Sequence, residues 1–343
     1  MTTPLTGDPP CVTERRRVGH SEVEVTRLGL GTAPLGGLFR RVEAEDASAV
    51  VARALDAGLA YVDTAPLYGH GLAERRLGEV LRDVPRDRFT LSTKVGRLIH
   101  DSPGEPDPVY VEVSGTHVEF DFSADGVRRS LEASLTRLGL DRVDIAYVHD
   151  PDDYEEQALR EAFPALRALR EEGVLGAIGV GMNQSRVPTR FVRETDCDVV
   201  LLAGRYTVLD QSGAADLLPA AAERGVSVIA GGVFNSGILA DPQPGSTYDY
   251  AAAPTSRITQ ARQLADVCAR HDVPLTALAL QFPLAHPAVT AVLTGVRTVA
   301  ELDENLARAG HRIPAALWAD LVAEGLLDAT TVRGLADPWE TGA

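Results

Sequence analysis

From Leu28 onward, short runs of consecutive apolar residues alternate with longer segments whose apolar positions recur at helical spacing. The runs are Leu28–Thr32, Tyr61–Val62, Phe89–Thr93, Val143–Val148, Ala177–Val180, Val199–Ala203, Val226–Ala230 and Val289–Leu293. Hydrophobicity on successive rather than alternate positions marks strands covered on both faces, as in a parallel sheet. Between them, Glu45–Ala57, Ser123–Leu138, Glu155–Glu172, Ser212–Arg224, Arg257–His271 and Thr298–Ala309 read as helices. Gly58, Gly139, Gly173 and Gly225 follow helices directly, where a left-handed residue closes a helix before the next strand. This alternation predicts an α/β fold of the (β/α)8 type, a TIM barrel. The alternative is a doubly wound sheet, whose dinucleotide fingerprint wants G-x-G-x-x-G after the first strand. The stretch Gly31-Thr32-Ala33-Pro34-Leu35-Gly36-Gly37 has the wrong glycine spacing and a proline.

No low-complexity linker divides the chain, so residues 21–343 are expected to form a single barrel domain and residues 1–20 a mobile tail. Two connections are longer than ordinary βα loops. The first, from Lys94 to Phe122, contains alternating Val109–Val113 and His117–Phe120, which predict a small hairpin over the barrel mouth. The second runs from Phe234 to Pro254 and is rich in Gly, Pro, Asp and Tyr. In a barrel both leave carboxyl ends of strands, so both extended loops (95–122 and 235–254) should wall the active face. Tyr110, His117, Phe120, Phe234 and Tyr248 are their candidate lining residues.

Composition narrows the partners. A formal net charge of -16 disfavours nucleic acid and anionic membrane surfaces. The three cysteines, Cys11, Cys197 and Cys268, have no metal-like or CxxC spacing, which points to a reducing, cytoplasmic setting and no metal centre. No apolar run is long enough to span a bilayer. A small-molecule substrate is the partner expected; the oligomeric state is not legible.

Candidate chemistry gathers at strand ends. Asp63 leaves the second strand in Val62-Asp63-Thr64-Ala65-Pro66-Leu67-Tyr68-Gly69, with Tyr68 five residues on. A carboxylate leaving an apolar strand needs a partner. Lys94 ends the third strand and His149 the fourth, so Asp63, Tyr68, Lys94 and His149 follow successive strands and converge at the top of a barrel. A lone strand-end lysine or histidine would be an exposed or hydrogen-bonded side chain; the combination is what points to catalysis.

In order and spacing, VDTAPLYG, LSTKVG and YVHD-P resemble the catalytic strand ends of the aldo/keto reductases, and the resemblance extends from about Leu28 to Asn305. Within the family the chain looks most like the D-threo-aldose 1-dehydrogenase (L-fucose dehydrogenase) and pyridoxal 4-dehydrogenase branch. Phe120–Gly126, Leu202–Tyr206 and Gly232–Leu239 carry that resemblance. It implies hydride transfer between a nicotinamide cofactor and a sugar, polyol or small aldehyde. Tyr68 would then be the general acid/base, since an ordinary tyrosine, pKa about 10, is a poor one at neutral pH. Lys94 would lower that pKa, Asp63 would fix Lys94, and His149 would orient the substrate oxygen or relay a proton.

The same resemblance suggests cofactor contacts. Gly31 and Thr32 end the first strand, together with Asp63 at the second. Asn183 would hold the carboxamide, although the family's usual Ser-Asn is replaced by Gly181 and Met182. Tyr206 would stack on the nicotinamide. Gly232, Val233, Phe234, Asn235 and Ser236 would offer N–H groups to the pyrophosphate, in place of the family's commoner Ser-Pro-Leu. Gly295, Arg297, Glu301, Glu304 and Asn305 match the adenosine turn and helix. Members using NADP often carry arginine where this chain has Glu301, which favours NAD, while Arg297 keeps NADP open. The reading is therefore an aldose (L-fucose-like) 1-dehydrogenase; the alternatives are an NADPH-dependent ketone or aldehyde reductase of secondary metabolism and a non-catalytic cofactor-binding redox sensor.

Overall fold

In the computed structural model, the described residues are 10–328, except 103, 105 and 106. Eight parallel strands close into a barrel. They are β1 (Leu28–Gly31), β2 (Tyr61–Asp63), β3 (Thr90–Val95), β4 (Ile145–His149), β5 (Ala177–Met182), β6 (Val199–Ala203), β7 (Ser227–Gly231) and β8 (Val289–Gly295). Each pairs with its sequence neighbours, and β8 returns to β1 with Gly295 opposite Gly31. Each coincides with an apolar run, because a strand between barrel lumen and helix layer must be apolar on both faces. Inside, Tyr61, Ile145, Tyr147, Val199, Leu201, Ile229, Ala291 and Leu293 fill the barrel. A larger apolar layer lies between strands and helices.

Two helices differ from expectation for identifiable reasons. The Glu155–Glu172 segment is helical but contains a wide π turn, Ala158–Ala162, just before Phe163–Glu171. Pro164 has no N–H to donate and would crowd the preceding carbonyl, and the wide turn accommodates it. The Ser212–Arg224 segment is a 3-10 turn, Ser212–Ala214, followed by a separate helix, Leu217–Arg224. Asp216 separates them, its carboxylate accepting from the Leu217 N–H.

The expected tail is corrected in part. Residues 1–9 lie outside the described residues, but Arg15–Arg17 pairs antiparallel with Glu24–Thr26. Val18 and Val25 from this hairpin join the barrel's inner cluster, and the Gly19 N–H donates to Ser227 Oγ at 2.8 Å. The hairpin closes the amino end of the barrel, and burying its valines holds it there.

The first long loop is also corrected. Its hairpin pairs Arg97–His100, not 109–113, with His117–Phe120. Val109–Val113 instead lies along the loop after β1: the Phe39 N–H donates to Val109 O, the Val111 N–H donates to Gly37 O, and Leu38 bridges Tyr110. Buried Arg76 fastens both loops, donating to the Leu35 and Val42 carbonyls and pairing with Glu112. In the second loop Thr247–Tyr248 pairs with Ala251–Ala252 around a turn whose Asp249 and Tyr250 have positive φ.

Candidate active site

At the carboxyl end of β3, Lys94 points into the barrel and is 2% exposed. Its ammonium has three protons and three acceptors: Asp63 Oδ2 at 2.7 Å, the Thr64 carbonyl at 2.9 Å and the Tyr68 hydroxyl at 3.0 Å. Asp63 is buried as well, and its other oxygen accepts from Ser92 Oγ at 2.7 Å. Ser92 reaches inward from β3 to the Tyr61 hydroxyl, which lies 3.1 Å from that of Tyr147. The sequence places these groups by strand parity: alternate residues of β3 face the lumen.

The loop carrying Tyr68 is fixed by close backbone crossing. Gly69 has φ 62°, and a Cβ at Gly36 would come within 2.6 Å of the Tyr68 backbone. Side chains at either position would push the phenol away from Lys94. His70, directly beyond, ties this turn to the first long loop through Thr116 at 2.7 Å and Asp107 at 3.3 Å.

His149, at the end of β4, stands edge-on to the Tyr68 ring with centroids 6.2 Å apart. Burial, then the positive charges of Arg97 and Lys94, holds its pKa well below the ordinary histidine value, so the imidazole is neutral at pH 7. Its Nδ1 is buried without a hydrogen-bond partner among the described residues, and its Nε2 is 3.5 Å from Asp150 Oδ2. Tyr68 departs from the sequence expectation. Burial, reinforced by Asp63, raises its hydroxyl well above the usual tyrosine value, opposed by Arg97. The Lys94 hydrogen bond favours a phenolate, but Asp63 already neutralises that ammonium at 2.7 Å. Burial therefore wins, and the phenol is protonated at neutral pH. Because its oxygen accepts from Lys94, its own proton is available to a substrate oxygen.

The expected cofactor residues occupy the opposite arc, at the ends of β5 to β8 and β1, and they are not equivalent. Gly31 and Gly295 face each other across the β1–β8 pair, with Pro34 packed where a Gly295 Cβ would stand. Thr32 is a brace, its hydroxyl donating to Asp63 O at 2.9 Å. Asn183 is exposed and makes no side-chain hydrogen bond among the described residues, whereas Gly181 faces the mouth with its Cβ position 3.7 Å from Lys94 Cε. Tyr206 is not on the rim; its ring is buried against Phe282 and His286. Asn235 is also a brace, donating to Gly204 O and accepting from Thr207. Ser236, at φ 59°, accepts from the Tyr250 N–H.

Some groups there do fit a phosphate-bearing cofactor. Val233 and Phe234 lie outside helix and strand and donate no backbone hydrogen bond among the described residues, just after Gly232 at φ 61°. Arg297 donates to Leu38 O, yet its buried Nε has no partner among the described residues. Glu301 accepts from the Arg297 N–H at 2.7 Å while its own N–H donates to Thr298, a reciprocal cap on Val299–Ala309. Asn305 lies on that helix's buried side, and Glu304 is exposed and pairs with Arg308.

A family model described as "Aldo/keto reductase family" matches residues 27–323, nearly all of the barrel. The chain belongs to the aldo/keto reductase family. Among its relatives, D-threo-aldose 1-dehydrogenase from Pseudomonas sp is 44% identical over 313 residues, covering 88% of this chain and 95% of that one. Pyridoxal 4-dehydrogenase from Microbacterium luteolum is 41% identical, covering 92% and 98%. The holo form of an aldo-keto reductase from Bacillus halodurans superposes with a TM-score of 0.73 at 24% identity, covering 92% and 97%, which shows the barrel. The protein is thus an NAD(P)-dependent oxidoreductase acting on a small molecule.

Three groups that face this aldo/keto reductase site were not singled out in the sequence. Arg97 follows Lys94 by three residues and pairs with Asp150 at 2.9 Å. Phe39 and Tyr250, from different loops, meet with ring centroids 6.0 Å apart. Nothing local marks them, since loop shape brings them in. Among the described residues, no group of three or more His, Cys, Asp or Glu is arranged to hold a metal ion, and no helix is long and apolar enough to cross a membrane.

Proposed function

We propose that this aldo/keto reductase is an aldose 1-dehydrogenase that oxidises the anomeric hydroxyl of an L-fucose-like sugar to the lactone, with NAD as its preferred cofactor. The observation that carries the reading is the single ammonium of Lys94 joining Asp63 at 2.7 Å and Tyr68 at 3.0 Å, beside a neutral imidazole. Asp63 anchors Lys94, and Lys94 holds the Tyr68 oxygen towards the mouth. The deprotonated Tyr68 takes the hydroxyl proton, while neutral His149 hydrogen-bonds the same substrate oxygen. A bound nicotinamide cofactor supplies the hydride acceptor. Gly31, Gly295, the Val233 and Phe234 N–H groups and Arg297 are the residues that would hold it. Glu301 would accept ribose hydroxyls and repel a 2′-phosphate, which is the argument for NAD. The names of the two relatives above 40% identity support an aldose or aromatic aldehyde as substrate. The unpaired cysteines fit a reducing, cytoplasmic setting.

A second reading rests on the raised Tyr68 value: a protonated phenol is ready to act as an acid, which suits carbonyl reduction. Measuring NADH and NADPH formation with L-fucose, D-arabinose, pyridoxal and simple alcohols, and the reverse reductions, separates the two. NAD-linked turnover of an aldose is expected to dominate. Tyr68→Phe should lower kcat about a thousandfold or more, within the range attributed to general acid–base catalysis. Retention of full turnover by that variant removes the mechanism.

A further inference from the structure

Arg97 and Asp150 form a partly satisfied ion pair at the edge of the site. Asp150 directly follows His149 and holds a left-handed backbone, φ 42°, pinned by its N–H donating to Gly181 O at 3.0 Å. A non-glycine residue in that region carries local strain, which persists where the surroundings impose it. The conformation sets the carboxylate beside His149 Nε2, 3.5 Å away, and 2.9 Å from Arg97 Nη2. Arg97 comes from the start of the first long loop, and its guanidinium lies over the Phe120 ring at 4.8 Å. Its side chain is 11% exposed and that of Asp150 27%.

What the pair leaves unused is informative. Among the described residues Asp150 Oδ1 and Arg97 Nη1 have no hydrogen bond, and Arg97 Nε is buried without a partner. Ion pairs taken out of water are stabilising only where their remaining donors and acceptors are satisfied. Asp144 and Asp198 elsewhere in the barrel also bond through one oxygen, and Arg86 Nε is left like Arg97 Nε. Each of those carboxylates, however, takes a strand N–H besides its arginine: Leu91 with Arg86, Ile178 with Arg170. Among the described residues the Asp150 carboxylate takes no backbone N–H, and it stands beside His149. Both members of the Arg97–Asp150 pair also lie close enough to Tyr68 to alter its proton affinity, in opposite directions.

We propose that Arg97 and Asp150 read hydroxyl groups of the substrate next to its reacting carbon: the free carboxylate oxygen accepts from one hydroxyl and the guanidinium donates to its neighbour. A carboxylate and a guanidinium side by side complement a diol, which both donates and accepts, and such charge-assisted bonds are the stronger kind. A plain alcohol or aldehyde reaches Tyr68 and His149 without using the pair. This deepens the aldose reading and rests on it.

The test is the ratio of kcat/KM for L-fucose to kcat/KM for benzyl alcohol, measured in the full-length enzyme and in Asp150→Asn. A charged hydrogen bond lost from a site leaves about a 10- to 150-fold deficit. A fall in the ratio of tenfold or more supports the pair's role, and a smaller change overturns it. A merely structural role lowers both substrates together and leaves the ratio in place. Should Asp150→Asn fail to fold by circular dichroism, Arg97→Lys, which keeps the charge and loses the fork, carries the same comparison. Wild-type turnover of benzyl alcohol with none of L-fucose overturns the aldose reading itself, and the pair's role with it.

Discussion

Adjacent residues of β3 meet two buried carboxylates on opposite sides of the barrel wall. Lys94 faces inward to Asp63; Thr93 faces outward to Glu74, which is fully buried, accepts from Thr93 at 2.9 Å and pairs with Arg137 at 2.6 Å. Both acids are removed from water and both have a cationic partner. They differ in what else that cation touches. Among the described residues Arg137 bonds only Glu74 and the Ser134 hydroxyl, so the outer pair ties one helix to the next. Lys94 bonds a phenol at the open end of the barrel, so the inner pair ends on a group able to exchange a proton with a ligand. A buried ion pair is weak testimony of function by itself. A titratable third partner facing the mouth makes it strong.

Mutation of each pair should separate the roles. Lys94→Met is expected to lower kcat by about 100-fold or more, since the phenol loses the donor that holds its oxygen and favours its ionised form. Glu74→Gln should do the reverse. Leaving Arg137 without its carboxylate is expected to lower unfolding stability by about 3 kcal/mol, read by denaturant titration, while kcat per folded molecule stays within about twofold. A tenfold fall in kcat for Glu74→Gln, with the protein folded, breaks the distinction between the two faces of β3.

The pH dependence sharpens the inner half. In the proposed mechanism oxidation needs the Tyr68 phenolate, and burial raises that pKa well above its ordinary value. Below a raised pKa the phenolate fraction grows tenfold per pH unit, so log kcat/KM for oxidation should climb with a slope near one from pH 7 into the alkaline range. Carbonyl reduction uses the protonated phenol and should stay level over the same range. His149 contributes no acid limb near pH 6.5, because its lowered pKa keeps it neutral there. An inflection near pH 6.5 in either direction, lost in His149→Asn, contradicts the neutral imidazole.

The barrel was legible because its strands are apolar on both faces, a pattern that survives without any tertiary knowledge. The convergence of Asp63, Lys94 and His149 was legible for a related reason: strand parity and strand ends fix where they point. What failed depended on loops and partners. The helix Leu72–Leu81 follows the Tyr68 turn with Glu74, Arg76 and Gly78 buried, and those polar and small residues obscure its inner face. Val109–Val113 alternates like a strand, yet its backbone partner is the loop after β1. The hairpin at the amino end reads as a tail because Arg15, Arg16 and Arg17 look solvated, while Val18 and Val25 carry the signal of its burial. The Tyr68 pKa is not legible because a sequence shows the lysine and not the depth of the phenol. Arg97 and Asp150 carry no local signal beyond standing close to Lys94 and His149 in the chain.

The smallest expected effect concerns a carboxylate with one role visible and another proposed. Glu301 caps the helix Val299–Ala309 through the Arg297 N–H at 2.7 Å, and it is exposed. Glutamine keeps an oxygen for that cap and removes the charge; alanine removes both. If Glu301 also disfavours a 2′-phosphate, Glu301→Gln should raise kcat/KM with NADP about fivefold, corresponding to ~1 kcal/mol for an exposed charge, with little change in melting temperature. Glu301→Ala should show the same gain together with a lower melting temperature, since a cap contributes about 1 kcal/mol. The gain should shrink as salt rises, because an exposed charge is screened. An unchanged NADP to NAD ratio in both variants would place Glu301 with Glu74, as a carboxylate whose whole role is to hold the fold.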